Sequence, residues 1–142
     1  MMVIGIDPGQ HTGMAVFESG RLVSIHTETP LGMLNRLRAM CPHHVVFEDS
    51  RLQSHAWTQV KSRPAALKMA RNVGEIDGQC KLIVAVCEEI RASALGISPK
   101  NKGAKMDHDS FCELTGWDKQ TNQHGRDAAM VAWPYRKGWR NA

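Results

Sequence analysis

The segment Val3-Ile4-Gly5-Ile6-Asp7-Pro8-Gly9 decides how the chain is interpreted. Residues 3–7 are short, apolar and β-branched, which predicts a buried strand that ends on Asp7. Proline presets φ at the second position of a turn and glycine tolerates positive φ at the third, so residues 7–10 are predicted as a type II turn. A carboxylate at the end of a core strand is costly unless it is hydrogen-bonded, paired or bound to a metal. Asp7 is therefore either a cap of this turn or the first candidate site residue.

The residues that follow predict an antiparallel start to a sheet. Met14–Glu18 and Leu22–Thr27 are two further strands, and Ser19-Gly20 between them is typical of a tight hairpin. The leucine spacing in Leu31–Met40 predicts a helix. Val45–Phe47 is the fourth strand, and it leads directly into Glu48 and Asp49.

The second half is predicted as a helix, a strand and two helices. Ser62 is an N-cap for a helix over Arg63–Gly78, and the aliphatic run Leu82–Val86 is a fifth strand covered on both faces. Helices follow at Asp107–Leu114 and from His124 to about Trp133. The order predicts an α/β fold: a mixed five-stranded sheet, with three antiparallel strands and then parallel ones, flanked by helices.

Composition bounds the class of protein. The 142 residues have a mass of 15.8 kDa, which predicts one domain over 1–142. At 42% hydrophobic and 23% charged the chain is not disordered, and no apolar run approaches the ~20 residues of a membrane helix, so no membrane partner is expected. Four cysteines without a Cys-x-x-Cys pair disfavour zinc and disulfides, and they predict reduced thiols and a cytoplasmic location.

The positive charge lies in the last third of the chain. Residues 1–90 hold nine Lys/Arg and nine Asp/Glu, whereas residues 91–142 hold nine and five, so the whole net charge of +4 lies there. A one-sided basic surface suits a polyanion such as nucleic acid. Solubility alone is an equally good explanation of +4.

Three acids and one histidine could converge on a metal. Glu48 follows an apolar strand, as Asp7 does, and His124 and Asp127 are three residues apart on one helix face. Hard oxygen ligands suit Mg²⁺ or Mn²⁺ better than zinc, and two such ions ~3.5–4 Å apart would activate a water and stabilise the leaving oxygen of a phosphodiester. Each residue also has a structural explanation: a solvated strand end for Glu48, an ion pair with Arg126 or Lys137 for Asp127, and a cap for His124.

The chain resembles the RuvC-type Holliday-junction resolvases of the RNase H-like superfamily, particularly short versions seen in phages. The resemblance rests on the opening strand with Thr12-Gly13, on Val45-Val46-Phe47-Glu48, and on His124-Gly125-Arg126-Asp127-Ala128-Ala129. It implies a Mg²⁺-dependent homodimeric endonuclease that cuts two strands of a four-way DNA junction symmetrically. The ligands it implies are Asp7, Glu48, His124 and Asp127. Glu48 is preferred to Asp49, which would point to the other face of the sheet.

The resemblance also implies where DNA and a second subunit bind. The loop after the second acid would reach the junction centre through an apolar or aromatic side chain, for which Leu52 and Trp57 are candidates. Arg51, in the same segment, is a candidate contact to the DNA. Lys100, Lys102 and Lys105 would contact phosphates, with a solvated loop as the alternative. The helix Arg63–Gly78 would lie at the dimer interface, where its small-residue ridge admits another backbone, although this ridge could instead pack on its own sheet. The ridge consists of Ala66, Ala70, Gly74 and Gly78.

Other functions share parts of this pattern. A related RNase H-like nuclease could act on other branched DNA or on RNA–DNA hybrids, and a non-catalytic protein could bind junctions without cutting them. Unused acids near DNA would weaken such binding. An actin-like or sugar-kinase ATPase has a similar opening, but it needs two such halves, and this chain has neither the second half nor a Gly-x-x-x-x-Gly-Lys-Ser/Thr loop.

Overall fold

The computed structural model describes residues 1–53, 62–99 and 104–140, and a five-stranded sheet in the order β3-β2-β1-β4-β5 forms its centre. The first three strands pair antiparallel, while β4 and β5 run parallel to β1 and to each other. The predicted mixed sheet is therefore confirmed. The strands are β1 (Met2–Asp7), β2 (Thr12–Glu18), β3 (Arg21–Glu28), β4 (His44–Glu48) and β5 (Ser93–Ile97).

The two turns of the first half differ from each other. Ser19 and Gly20 have φ of 50° and 80°, the pair of positive values whose twist matches the flanking strands, so the predicted tight hairpin is confirmed. The predicted type II turn at residues 7–10 is wrong, because Gly9 is not among the glycines with positive φ in the described chain. Side chains hold this loop instead, as described below.

In the described residues four α-helices cover the sheet, and each begins at a side-chain cap. They are α1 (Pro30–Met40), α2 (Arg63–Ile90), α3 (His108–Thr115) and α4 (Gln123–Ala132). Their N-caps are Thr29, Ser62, Asp107 and Asn122, each of which accepts a hydrogen bond from a backbone N–H in the first turn. The predicted Ser62 cap is confirmed. At the other end of α4, Trp133–Tyr135 form a 3₁₀ turn at Pro134.

The predicted fifth strand at Leu82–Val86 is wrong, because these residues continue α2 as far as Ile90. Burial along this stretch recurs every three to four residues: Ile83 and Val86 are buried, whereas Leu82 is 52% exposed. The aliphatic run is thus one face of an amphipathic helix. The true β5, Ser93–Ile97, contains Gly96 and an exposed Ala94, so its apolar signal is weak.

Each face of the sheet carries its own hydrophobic core. One face packs Ile6 and Phe47 against α1 and α2, and the other packs Val46 against α3 and α4. Helix α4 lies directly on the strands because two positions there are glycine. A Cβ at Gly5 would collide with the carbonyl oxygen of Ala128, and a Cβ at Gly13 with that of His124. Within the described ranges, no helix is both long and apolar enough to cross a membrane.

Candidate active site

Asp7 and Glu48 end two adjacent parallel strands at the same level. Ile6 is paired with Phe47 in the register of β1 and β4, so the next residues of both strands are neighbours. Side chains alternate along a strand, and Gly5 and Val46, two residues earlier, both face α4. Both carboxylates therefore stand on the face of the sheet that α4 covers.

Helix α4 brings His124 and Asp127 to this same end of the sheet. The carbonyl of His124 lies against Gly13, which is the residue that pairs with Asp7 across β1 and β2. Asp127 follows one turn later and is buried. The strands β1 and β4 and the helix α4 thus carry the four predicted residues at the same end of the sheet.

The carboxylate oxygens of Asp7, Glu48 and Asp127 are the type of ligand atom that a hard divalent cation prefers. Across residues 1–53, 62–99 and 104–140, no three His, Cys, Asp or Glu side chains are close enough together to hold one ion. Mg²⁺ is commonly held by one or two carboxylates together with substrate phosphates, and it does not require a closed protein cage. Three carboxylates and an imidazole are ligand types that are compatible with that mode of binding.

Gln123, which sequence reasoning missed, holds one of the carboxylates. Its Nε2 donates a hydrogen bond of 2.7 Å to Asp127 Oδ1, and its Oε1 accepts one of 3.0 Å from Arg126. Arg126 also donates to the Met106 carbonyl and the Thr121 hydroxyl. The four-residue spacing from Gln123 to Asp127 on a helix was the available signal.

Asp49 is engaged in a separate ion pair. Its buried carboxylate accepts hydrogen bonds of 2.9 Å and 2.8 Å from the Arg51 guanidinium, which lowers the pKa of Asp49. The same carboxylate interacts with Cys80 of α2, on the opposite side of the sheet from α4. This placement favours Glu48 over Asp49 as the site carboxylate. It also gives Arg51, a predicted DNA contact, a partner within the fold.

The other predicted DNA contacts are only partly within the described chain. Leu52 is 56% exposed in a 3₁₀ turn, Ser50–Leu52, that directly follows β4 and Asp49. Lys105 is exposed, next to the Met106 carbonyl that Arg126 binds. Trp57, Lys100 and Lys102 lie outside the described residues.

His11 is a second residue that the sequence interpretation did not select. It is exposed in the loop between β1 and β2, and its ring centroid lies 5.6 Å from that of His124. The loop that follows Asp7 therefore carries an imidazole to the edge of the site.

Solved structures share this fold over nearly the whole chain. The Thermus thermophilus RuvC structure in complex with a Holliday junction substrate has a TM-score of 0.62 and 18% identity, covering 95% of this chain and 92% of that one. A second Thermus thermophilus RuvC structure gives 0.58 and 17%, with coverage of 95% and 93%. The fowlpox virus resolvase complexed with Holliday junction DNA gives 0.57 and 13%, with coverage of 94% and 97%. No protein-family model and no curated protein sequence matches the chain.

Proposed function

We propose that this protein is a metal-dependent endonuclease that resolves four-way DNA junctions. The observation that carries the proposal is that Asp7 and Glu48 end the adjacent strands β1 and β4 on the face of the sheet covered by α4, the helix that carries His124 and Asp127. The fold that positions them is shared with two resolvases whose solved structures contain Holliday junctions. The cytoplasmic location and the single-domain organisation of residues 1–142 stay predictions from the sequence.

The proposed cofactor is Mg²⁺ or Mn²⁺, two ions per site, held by Asp7, Glu48, His124 and Asp127. When bound, the ions would activate a water and neutralise the charge of the leaving oxygen. Gln123 fixes Oδ1 of Asp127 through its amide, and Arg126 fixes Gln123 in turn. The chain thereby restricts the rotation of a proposed ligand before DNA arrives, which is the usual contribution of hydrogen bonds behind a metal ligand.

We infer that the active form is a homodimer, because symmetric cutting of two strands needs two sites. The exposed side of α2 supports this inference: Gly74 and Gly78 have open space where a Cβ would stand, and Leu67 and Leu82 are 53% and 52% exposed. A groove of about 650 Å³ lies between this part of α2, α1 and the loop at residues 9–10, and Gly74, Gly78 and Leu82 are among the residues that line it. Sedimentation equilibrium of the wild type and of Leu82→Glu tests the inference, and a monomer that still makes paired cuts would contradict it.

The decisive experiment is cleavage mapping on a four-way junction, with duplex, flap and RNA–DNA hybrid as competitors. Asp7→Asn, Glu48→Gln and Asp127→Asn should each abolish cleavage because each removes a proposed ligand. Junction binding, measured by gel shift in Ca²⁺, should persist or tighten because one negative charge near phosphate is gone. Asp118→Asn, an exposed carboxylate elsewhere, is the charge-matched control.

Each other outcome selects an alternative function. Wild-type turnover by Asp7→Asn in Mg²⁺ would contradict the site. Junction binding without cleavage in either metal would identify a non-catalytic junction-binding protein. Equal cutting of hybrid or flap substrates would identify another RNase H-like nuclease.

A further inference from the structure

The side-chain amide of Gln79 closes a ring of three hydrogen bonds with the loop that follows Asp7. The Gly9 N–H donates to Gln79 Oε1 at 2.9 Å, and Gln79 Nε2 donates to Thr12 Oγ1 at 2.8 Å. The Thr12 hydroxyl then donates to the Gly9 carbonyl at 2.9 Å. Gln79 and Thr12 are 6% and 0% exposed, so water does not substitute for these bonds.

Every donor and acceptor in this ring has its role fixed by the others. A backbone N–H only donates, so the Gln79 atom facing Gly9 is the oxygen. The Gln79 nitrogen must therefore face Thr12, whose hydroxyl has one hydrogen and gives it to the Gly9 carbonyl. Glutamate at position 79 has the same shape but would present a second acceptor to that hydroxyl.

The ring supplies hydrogen bonds that the backbone of this loop does not make with other backbone groups. In the described part of the chain, none of the backbone-to-backbone hydrogen bonds outside helices and strands involves residues 8–11. Gln79 belongs to α2, which packs on the face of the sheet opposite α4, and it is 70 residues away from Gly9 in sequence. A residue from one face of the sheet thus anchors a loop whose neighbours form the site on the other face.

Resting on the proposed nuclease function, we propose that Gln79 is a positioning residue for the active site. It fixes the loop that joins Asp7 to His11, and thereby sets where both side chains stand relative to α4. Helix α4 is itself fixed to the strands by the contact of His124 with Gly13. The loop from Asp7 to His11 also approaches α4 directly, because the ring centroid of His11 lies 5.6 Å from that of His124.

The test compares Gln79→Met, Gln79→Glu and Thr12→Val with Ile83→Val, which trims a buried side chain of the same helix outside the ring. Gln79→Met keeps the volume and removes both hydrogen bonds. We expect it to slow cleavage at saturating junction by about 10- to 100-fold, the effect of misplacing groups behind a metal site. Thr12→Val, which keeps the bond between Gly9 and Gln79, should show a smaller loss, whereas Gln79→Glu should lose at least as much as Gln79→Met because it buries a carboxylate beside the Thr12 hydroxyl. Junction affinity in Ca²⁺ should stay within about twofold for all of them, because a positioning residue acts on the cleavage rate and leaves the phosphate contacts that dominate binding in place.

A second measurement is independent of cleavage. Hydrogen exchange of the Gly9 amide in DNA-free protein should accelerate in Gln79→Met and remain as in the wild type in Ile83→Val. Unchanged Gly9 exchange would overturn the anchor. Parallel losses of melting temperature, junction affinity and rate, as in a merely destabilised protein, would overturn the positioning role. If the wild type cuts no junction, the proposed nuclease function is wrong, and so is the catalytic role of Gln79. The exchange rate of the Gly9 amide would still show whether Gln79 holds the loop.

Discussion

Asp49 and Arg51 form an ion pair whose contribution to stability depends on pH. The guanidinium bonds both carboxylate oxygens and lowers the Asp49 pKa below its usual 3.8. A lowered folded-state pKa gives stability that is present in full above the unfolded pKa and is lost as the pH falls through the folded one. Asp49→Asn should therefore lower the free energy of unfolding by about 1–3 kcal/mol at neutral pH, measured by urea denaturation.

The difference between wild type and Asp49→Asn should shrink as the pH falls below 3.8. Arg51→Met is the matched control. It removes the guanidinium that lowers the Asp49 pKa, so the acid-dependent loss of unfolding free energy due to this pair should also be absent in that variant. A difference that stays constant from neutral pH down to about 2.5 would contradict this assignment of the pair.

His124 is the one nitrogen donor among the proposed ligands. Mn²⁺ accepts nitrogen more readily than Mg²⁺, so cleavage should be faster in Mn²⁺, and His124→Asp should narrow the gap between the two metals. The measurement is the ratio of cleavage rates in the two ions. His43→Asp, at the opposite end of β4, is the control and should keep the wild-type ratio. An unchanged ratio in His124→Asp would count against direct ligation.

Among individual residues, the sequence identified the candidate carboxylates of the site but not the glutamines that hold the site in place. Asp7 and Glu48 stand out because carboxylates end apolar strands, and the structure places both on the α4 face. Gln79 and Gln123 have no such contrast with their neighbours. Their roles depend on partners that the fold brings to them, the Gly9 loop in one case and Arg126 in the other.

Helix α4 is the element on which the site depends, and its contact with the sheet makes a sharp prediction. A Cβ at Gly13 would enter the carbonyl of His124, so Gly13→Ala must push α4 outward or distort β2. We expect a loss of about 1–3 kcal/mol in unfolding free energy, typical of overpacking, together with loss of cleavage.

Gly74→Ala, measured at a protein concentration where the chain is monomeric so that the proposed dimer contact does not contribute, is the control for this prediction. No atom lies within 4 Å of its added Cβ, so the change should stabilise α2 by about 0.5–1 kcal/mol, the usual gain for glycine to alanine in a helix. Both free energies are read from chemical denaturation. A Gly13→Ala protein as stable as the wild type would show that α4 does not rest on this glycine.

The elements were predictable where local chemistry was unambiguous. The Ser19-Gly20 hairpin and the Ser62 cap are specified by a few neighbouring residues, and both are confirmed. The run Leu82–Val86 is ambiguous because five aliphatic residues fit a buried strand and a half-buried helix equally well. The packing of α2 on α1 and the sheet decides for the helix, and that contact is not local in sequence.

The charge distribution of the whole molecule sets the last expectation. The excess positive charge lies in residues 91–142, the part of the chain that also supplies α4. A basic region beside three carboxylates would offset their repulsion of phosphate and guide DNA toward the site. Arg126 connects the basic segment to the carboxylates. It donates hydrogen bonds to the Met106 carbonyl, next to Lys105, and to Gln123, which in turn bonds Asp127.

Replacing Lys100, Lys102 and Lys105 together by alanine should therefore weaken binding to all DNA while preserving the preference for four-way junctions. Each lost phosphate contact should reduce the slope of log K against log salt by roughly 0.9. Junction preference should persist because it would come from two subunits holding several arms. The control removes the same charge from exposed residues outside α2 and outside residues 100–105, through Arg21, Arg38 and Arg140. Salt slopes on junction and duplex decide the matter: equal slopes for both triple variants would show that the three lysines act through net charge alone, without contacting DNA.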